Sequence, residues 1–65
     1  MTIYDFLEMA MDDFYKINIY DTRDFKEIVH QKEVGEIKEM DDILDKYILS
    51  WDIEETTKEF CLNVE

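Results

Sequence analysis

Six carboxylates, Glu33, Glu36, Glu39, Asp41, Asp42 and Asp45, share the span 33–45 with a single base, Lys38. Carboxylates at this density could do three kinds of chemistry: act as an acid–base pair, chelate a divalent cation, or meet the basic side chains of a partner. A hydrolytic pair needs two carboxyls held in a cleft with separated pKa values. A chain of 65 residues leaves little room for a pocket of the usual size, roughly 300 Å³ or more. Asp41, Asp42 and Asp45 do not have the alternate ligand spacing, central glycine and closing glutamate of a calcium loop. On a helix, Glu36 and Glu39, and likewise Asp42 and Asp45, would stand three apart on one face, where like charges repel. Two readings of the cluster remain. It is a solvated face that keeps a small protein soluble, or it is a surface turned towards a basic partner.

The other reactive side chains are few. His30 is the single histidine and Cys61 the single cysteine, so the four ligands of a structural zinc are not available, nor is an internal disulfide. His30 reads as a surface strand residue. Cys61 alternates with apolar positions and reads as a packed or edge-strand thiol, with no triad context for either. The sequence implies no cofactor, no metal and no catalytic group. The aromatics are more numerous than one small core needs. Phe6, Trp51 and Phe60 are expected inside, while Tyr4, Phe14, Tyr15, Tyr20 and Tyr47 are in excess. Tyr4 and Tyr20 fall off the apolar faces and are the candidates for an exposed anchor of the kind that interfaces use.

Composition sets the frame for these residues. One domain, residues 1–65, is the expectation for this length, and a chain so short buries only about 60% of its unfolded surface. Apolar residues make up 46% and aromatics 14%, too rich for a disordered acidic chain. The net charge of −11 repels nucleic acid and anionic membranes and attracts basic surfaces. Base stacking on exposed aromatics works alongside lysine and arginine, whereas the aromatics here are flanked mostly by acids, so direct nucleic-acid binding is not expected. Asp5 and Glu8 interrupt the first apolar run, which does not read as a signal peptide, and no stretch is long enough to span a bilayer. A soluble cytoplasmic protein is expected.

The elements that must position these side chains follow from periodicity. Thr2 with Asp5 three residues later has the form of a capping box, and Ile3, Phe6, Leu7 and Ala10 follow at helical spacing, giving a helix over 2–11. Tyr15, Ile17 and Ile19 alternate with polar neighbours as a strand. The run 21–24 reads as a turn into a second strand over 25–34, although Ile28 and Val29 break its alternation. Gly35 is expected to end that strand. Ile37, Met40, Ile43 and Leu44 suit a short helix over 36–46. Tyr47, Leu49, Trp51 and Ile53 alternate as a third strand, 54–57 turns, and Phe60, Leu62 and Val64 form a fourth. The order α-β-β-α-β-β predicts an α+β fold, a small antiparallel or mixed four-stranded sheet with helices on one face. The two halves share this order without a convincing residue alignment.

The phrases MTIYDFLEMA, KINIYDT, LDKYILSWDIEE and FCLNV resemble short acidic proteins from phages and mobile elements of Gram-positive gut bacteria. In size and charge the chain is similar to anti-CRISPR proteins, which share no common motif and so transfer no residue. The resemblance implies an anti-defence inhibitor, not an enzyme, that covers the basic nucleic-acid-binding surface of an effector nuclease. Such effectors hold nucleic acid in positively charged channels and read a short motif with arginines. Carboxylates pair with arginine much as phosphates do. Glu33, Glu36, Glu39, Asp41, Asp42 and Asp45, with Tyr4 and Tyr20, would form the partner-binding surface. The rival expectation is a small structural or accessory protein that binds a basic host protein or homodimerises through sheet edges or spare aromatics.

Overall fold

A computed structural model describes residues 1–9 and 15–65. The chain order is α1 (Ile3–Met9), β1 (Lys16–Asp21), β2 (Lys26–Lys32), α2 (Val34–Ile37), β3 (Ile48–Glu54) and β4 (Glu59–Val64). This is the expected α+β order. Positions 10 and 11 of the expected first helix, and Phe14, lie outside the described residues.

The first helix starts where its cap dictates. The Asp5 backbone N–H donates to Thr2 Oγ1 at 3.2 Å, and the Thr2 N–H donates to Asp5 Oδ2 at 3.1 Å. This reciprocal pair satisfies N–H groups that a helix start leaves without partners. Two more, those of Ile3 and Tyr4, donate to the carbonyls of Lys46 and Leu44, which ties α1 to the segment before β3.

The sheet is mixed, in the order β2-β1-β4-β3. Two antiparallel hairpins, β1–β2 and β3–β4, lie side by side with β1 and β4 parallel at the centre, Ile17 beside Phe60 and Ile19 beside Leu62. Alternation along β1 and β4 sends Ile17, Ile19, Leu62 and Val64 to one face. There they meet Ile3, Phe6 and Leu7 of α1 and Val34 and Ile37 of α2 in the buried core. Phe6 packs edge-on to Phe60 at 5.5 Å between ring centroids. Among the described residues the opposite face carries no helix, and polar side chains meet on it: Asn18 Nδ2 donates to Glu59 Oε1 at 2.7 Å, and Asn63 Nδ2 to Ser50 Oγ at 3.1 Å.

Both hairpins close through the same four-residue loop. Asp21 Oδ1 accepts the Arg23 N–H at 2.8 Å, and Glu54 Oε1 accepts the Thr56 N–H at 3.3 Å. Each loop ends on a left-handed residue, Phe25 (φ 55°) and Lys58 (φ 58°). Lys58 Nζ lies 5.5 Å from the Tyr15 ring centroid. Phe25, by contrast, is 80% exposed.

Three expectations are corrected. The helix expected over 36–46 is a single turn, Val34–Ile37, followed by successive turns. In these, the N–H groups of Met40, Ile43 and Lys46 donate to the carbonyls of Ile37, Met40 and Ile43. A three-residue apolar spacing therefore reports i→i+3 turns rather than an α-helix. The acids that would have stacked at i, i+3 also disfavour a regular helix. Gly35 does not end a strand: it lies inside α2 without a positive φ. β2 ends after Lys32, disrupted by two register shifts and by Gln31 at φ 50°. Trp51, expected inside, is 52% exposed, because it sits on the outermost strand, with the Phe6 ring of α1 at 6.4 Å between ring centroids.

Candidate functional site

The six-acid cluster divides. Glu33 and Glu36 are already matched by the chain's own bases: Lys16 Nζ lies 2.8 Å from Glu33 Oε1, and Lys32 Nζ 3.6 Å from Glu36 Oε2. The Lys16 hydrogen bond and charge hold the Glu33 carboxyl below the usual range. Glu39, Asp41, Asp42 and Asp45 take part in no ion pair among the described residues, and all but the buried Ile43 and half-buried Met40 and Leu44 of the span 39–45 are exposed. Their position follows from the turn train. Met40, Ile43 and Leu44 turn inward against the core, which leaves the intervening acids outward.

Of the seven lysines and arginines, four are paired among the described residues. Lys38 pairs with Glu8 at 3.6 Å and Lys46 with Asp21 at 3.6 Å. Asp21 is the one buried charged residue among those described. Its carboxyl is held below the usual range first by the Arg23 backbone N–H, then by the Asp24 N–H and Lys46. Among the described residues, this pairing of four lysines leaves the loop 39–45 as surface that no internal cation neutralises.

Tyr4 and Tyr20 are both exposed, at 50% and 38%. They do not share an element: Tyr4 is on α1, and Tyr20 is on the helix-free face of β1, the face opposite Ile19. The structure thus gives no reason to treat them as one anchor. Exposed apolar surface gathers instead on β3 and the residue before it: Tyr47, one of the aromatics in excess, together with Leu49, Trp51 and Ile53, whose exposure sequence reasoning missed. Their alternation was legible, but alternation marks a half-buried strand equally well in the middle of a sheet and at its edge.

His30 lies exposed on β2, its Nδ1 2.9 Å from Glu27 Oε1. Cys61 is half-buried on the helix-free face of the central strand β4, not on an edge, and its Sγ is 3.9 Å from Asn18 Nδ2. Among the described residues no group of three or more His, Cys, Asp or Glu is placed to hold a metal ion. No helix among them is long and apolar enough to cross a membrane. Comparison with protein-family models, curated proteins and solved structures finds no match for the chain.

Proposed function

We propose that the chain is an inhibitory binding protein that occupies the basic nucleic-acid-binding surface of another protein, a CRISPR effector nuclease being the leading class. The observation that carries this reading is the distribution of charge. Lys16, Lys32, Lys38 and Lys46 are paired internally, and the net charge of −11 is left on the surface, with Glu39, Asp41, Asp42 and Asp45 outward on one loop.

A loop of this kind presents carboxylates where a nucleic-acid strand presents phosphates. Arginines that read bases or phosphates accept a carboxylate in the same forked geometry. The long-range field brings the two proteins together quickly at low salt, and the short-range pairs set the register. Inhibition then needs no chemistry, since occupancy of the channel excludes the nucleic acid. Glu33 and Glu36 drop out of the contacting set, because a partner's cation would first have to displace Lys16 or Lys32.

The competing reading, a homo-oligomer joined through sheet edges, is favoured by the exposed apolar residues of β3. A second copy brings the same −11, which opposes that association.

Displacement of a labelled duplex from a panel of CRISPR effectors, loaded with guide and mixed with the full chain, tests the proposal. Loss of the bound duplex from at least one effector, reversed by added salt, is the expected result. Retention of the duplex across the panel, with the chain sedimenting as a stable dimer, would shift the assignment to the homo-oligomer.

A further inference from the structure

The two outer strands of the sheet are finished differently. β2 has the marks of a protected edge: two register shifts, a left-handed residue at Gln31, and Lys26, His30 and Lys32 along its length. Bulges and lysines are the devices that keep an edge from pairing with another chain. β3 has a register shift only at its start, between Ile48 and Ser50, and no basic residue from 47 to 57. Its first part is covered. Thr2 bridges Tyr47, and the Ile48 N–H donates to the Met1 carbonyl at 2.9 Å. Beyond Ile48, β3 has β4 as its only strand partner among the described residues.

Side chains along this open stretch are sorted by face. Trp51 stands opposite Leu62 and Ile53 opposite Phe60, which puts both on the core side of the sheet. Asp52 stands opposite Cys61 and Glu54 opposite Glu59, on the helix-free side. Trp51 and Ile53 are each about half exposed, since α1 does not reach far enough to cover the last strand. Among the described residues, the edge therefore offers backbone groups without a strand partner, flanked by an apolar row on one face and an acidic row on the other.

We infer that the open edge of β3, residues 49–54, is a docking site for an extended, basic segment of the partner protein, which adds to the sheet as a fifth strand. Charge selects this occupant. The added strand places lysine or arginine beside Asp52 and Glu54 and apolar side chains beside Trp51 and Ile53, the cross-strand pairs that stabilise sheets. A second copy pairing through its own β3 would bring an identical acidic row and no base to answer it, and the basic edge β2 is disrupted by its register shifts and by Gln31. The inference deepens the proposed function and rests on its reading of a basic partner, but it uses different residues from the loop 39–45.

A capped peptide of alternating lysine and valine, matched in length to Leu49–Glu54, is the probe, titrated into the full chain. Trp51 is the only tryptophan, so its emission reports the event directly. The expected result is a blue shift of that emission, amide protection confined to 49–54 and its new partner, and at least about tenfold weaker binding of the glutamate–valine counterpart. Methylating alternate peptide amides on the docking side should abolish binding. The pair D52K and E54K, both exposed, should reverse the preference towards the glutamate peptide, a readout that a merely damaged fold would not give. Three results overturn the inference: no protection of 49–54, equal binding of the methylated peptide, or a dimer formed through β3. Neutralising Glu39, Asp41, Asp42 and Asp45 should leave peptide binding in place. Failure of the loop mechanism and failure of the edge mechanism are thereby distinguishable.

Discussion

At two positions of this chain, Phe25 and Lys58, glycine should be more stabilising than alanine. Phe25 closes the β1–β2 loop at φ 55° with its ring 80% exposed. A left-handed backbone costs a residue with a Cβ about 1–2 kcal/mol. Glycine escapes that cost but loses about 0.5–1 kcal/mol more in chain entropy on folding. F25A and F25G both discard the ring, so whatever the ring contributes cancels between them. The difference leaves F25G the more stable by about 0.5–1 kcal/mol, the reverse of the ordinary order. In a domain of this size that gap is about 2–8 °C in Tm. Thermal unfolding of the two variants side by side, followed by far-UV circular dichroism, is the assay. Equal Tm values, or the higher one for F25A, would refute the left-handed assignment and with it the four-residue loop. K58G should likewise exceed K58A, because Lys58 occupies the same position in the β3–β4 loop, at φ 58°.

The remaining predictions concern the elements around the loops. G35A should stabilise the chain by about 0.5–1 kcal/mol in the same thermal assay, since Gly35 is helical, has no positive φ and an added Cβ meets nothing within 4 Å. L62A should cost about 2–5 kcal/mol in urea unfolding, a large share of the roughly 3–10 kcal/mol available to a domain of this length, because Leu62 is buried at the centre of the sheet. Asp5, Asp21, Glu33 and Glu59 all have carboxyls held low, Asp5 by the Thr2 cap and Glu59 first by Thr57. Groups with depressed folded pKa values stabilise fully above the ordinary carboxylate range and lose that contribution as pH falls through their folded values. Urea midpoints should therefore hold from neutrality to about pH 5 and then decline, and D21N should flatten the decline.

Local signals carried most of the fold. The Thr2–Asp5 box marked the start of α1, alternation located β1, β3 and β4, and the polar turn at 21–24 placed β2 despite its broken alternation, because all these signals are read over a few residues. What was not legible depends on the order of strands. Nothing in Leu49, Trp51 or Ile53 says that β3 lies at an edge; only the pairing β2-β1-β4-β3 does, and that exposes Trp51. The segment 36–46 misled because a spacing of three serves an i→i+3 turn train as well as a helix. For the candidate site, the acidic run was visible in the sequence but its internal matching was not. Lys16 reaches Glu33 across 17 positions, a contact set by the end of the sheet where β1 begins. Glu39, Asp41, Asp42 and Asp45 stand apart from the six only once those partners are located.

The central claim is that this loop supplies the charge that a cationic partner surface recognises. Its most direct test is the affinity of the full chain for an effector that passes the displacement assay, compared with the variant E39Q, D41N, D42N and D45N across a salt series. Four lost exposed charge contacts should weaken binding by roughly tenfold to a thousandfold at low salt, with a shallower salt dependence for the variant and unchanged thermal stability. Equal affinities and parallel salt slopes for the two proteins would contradict the claim.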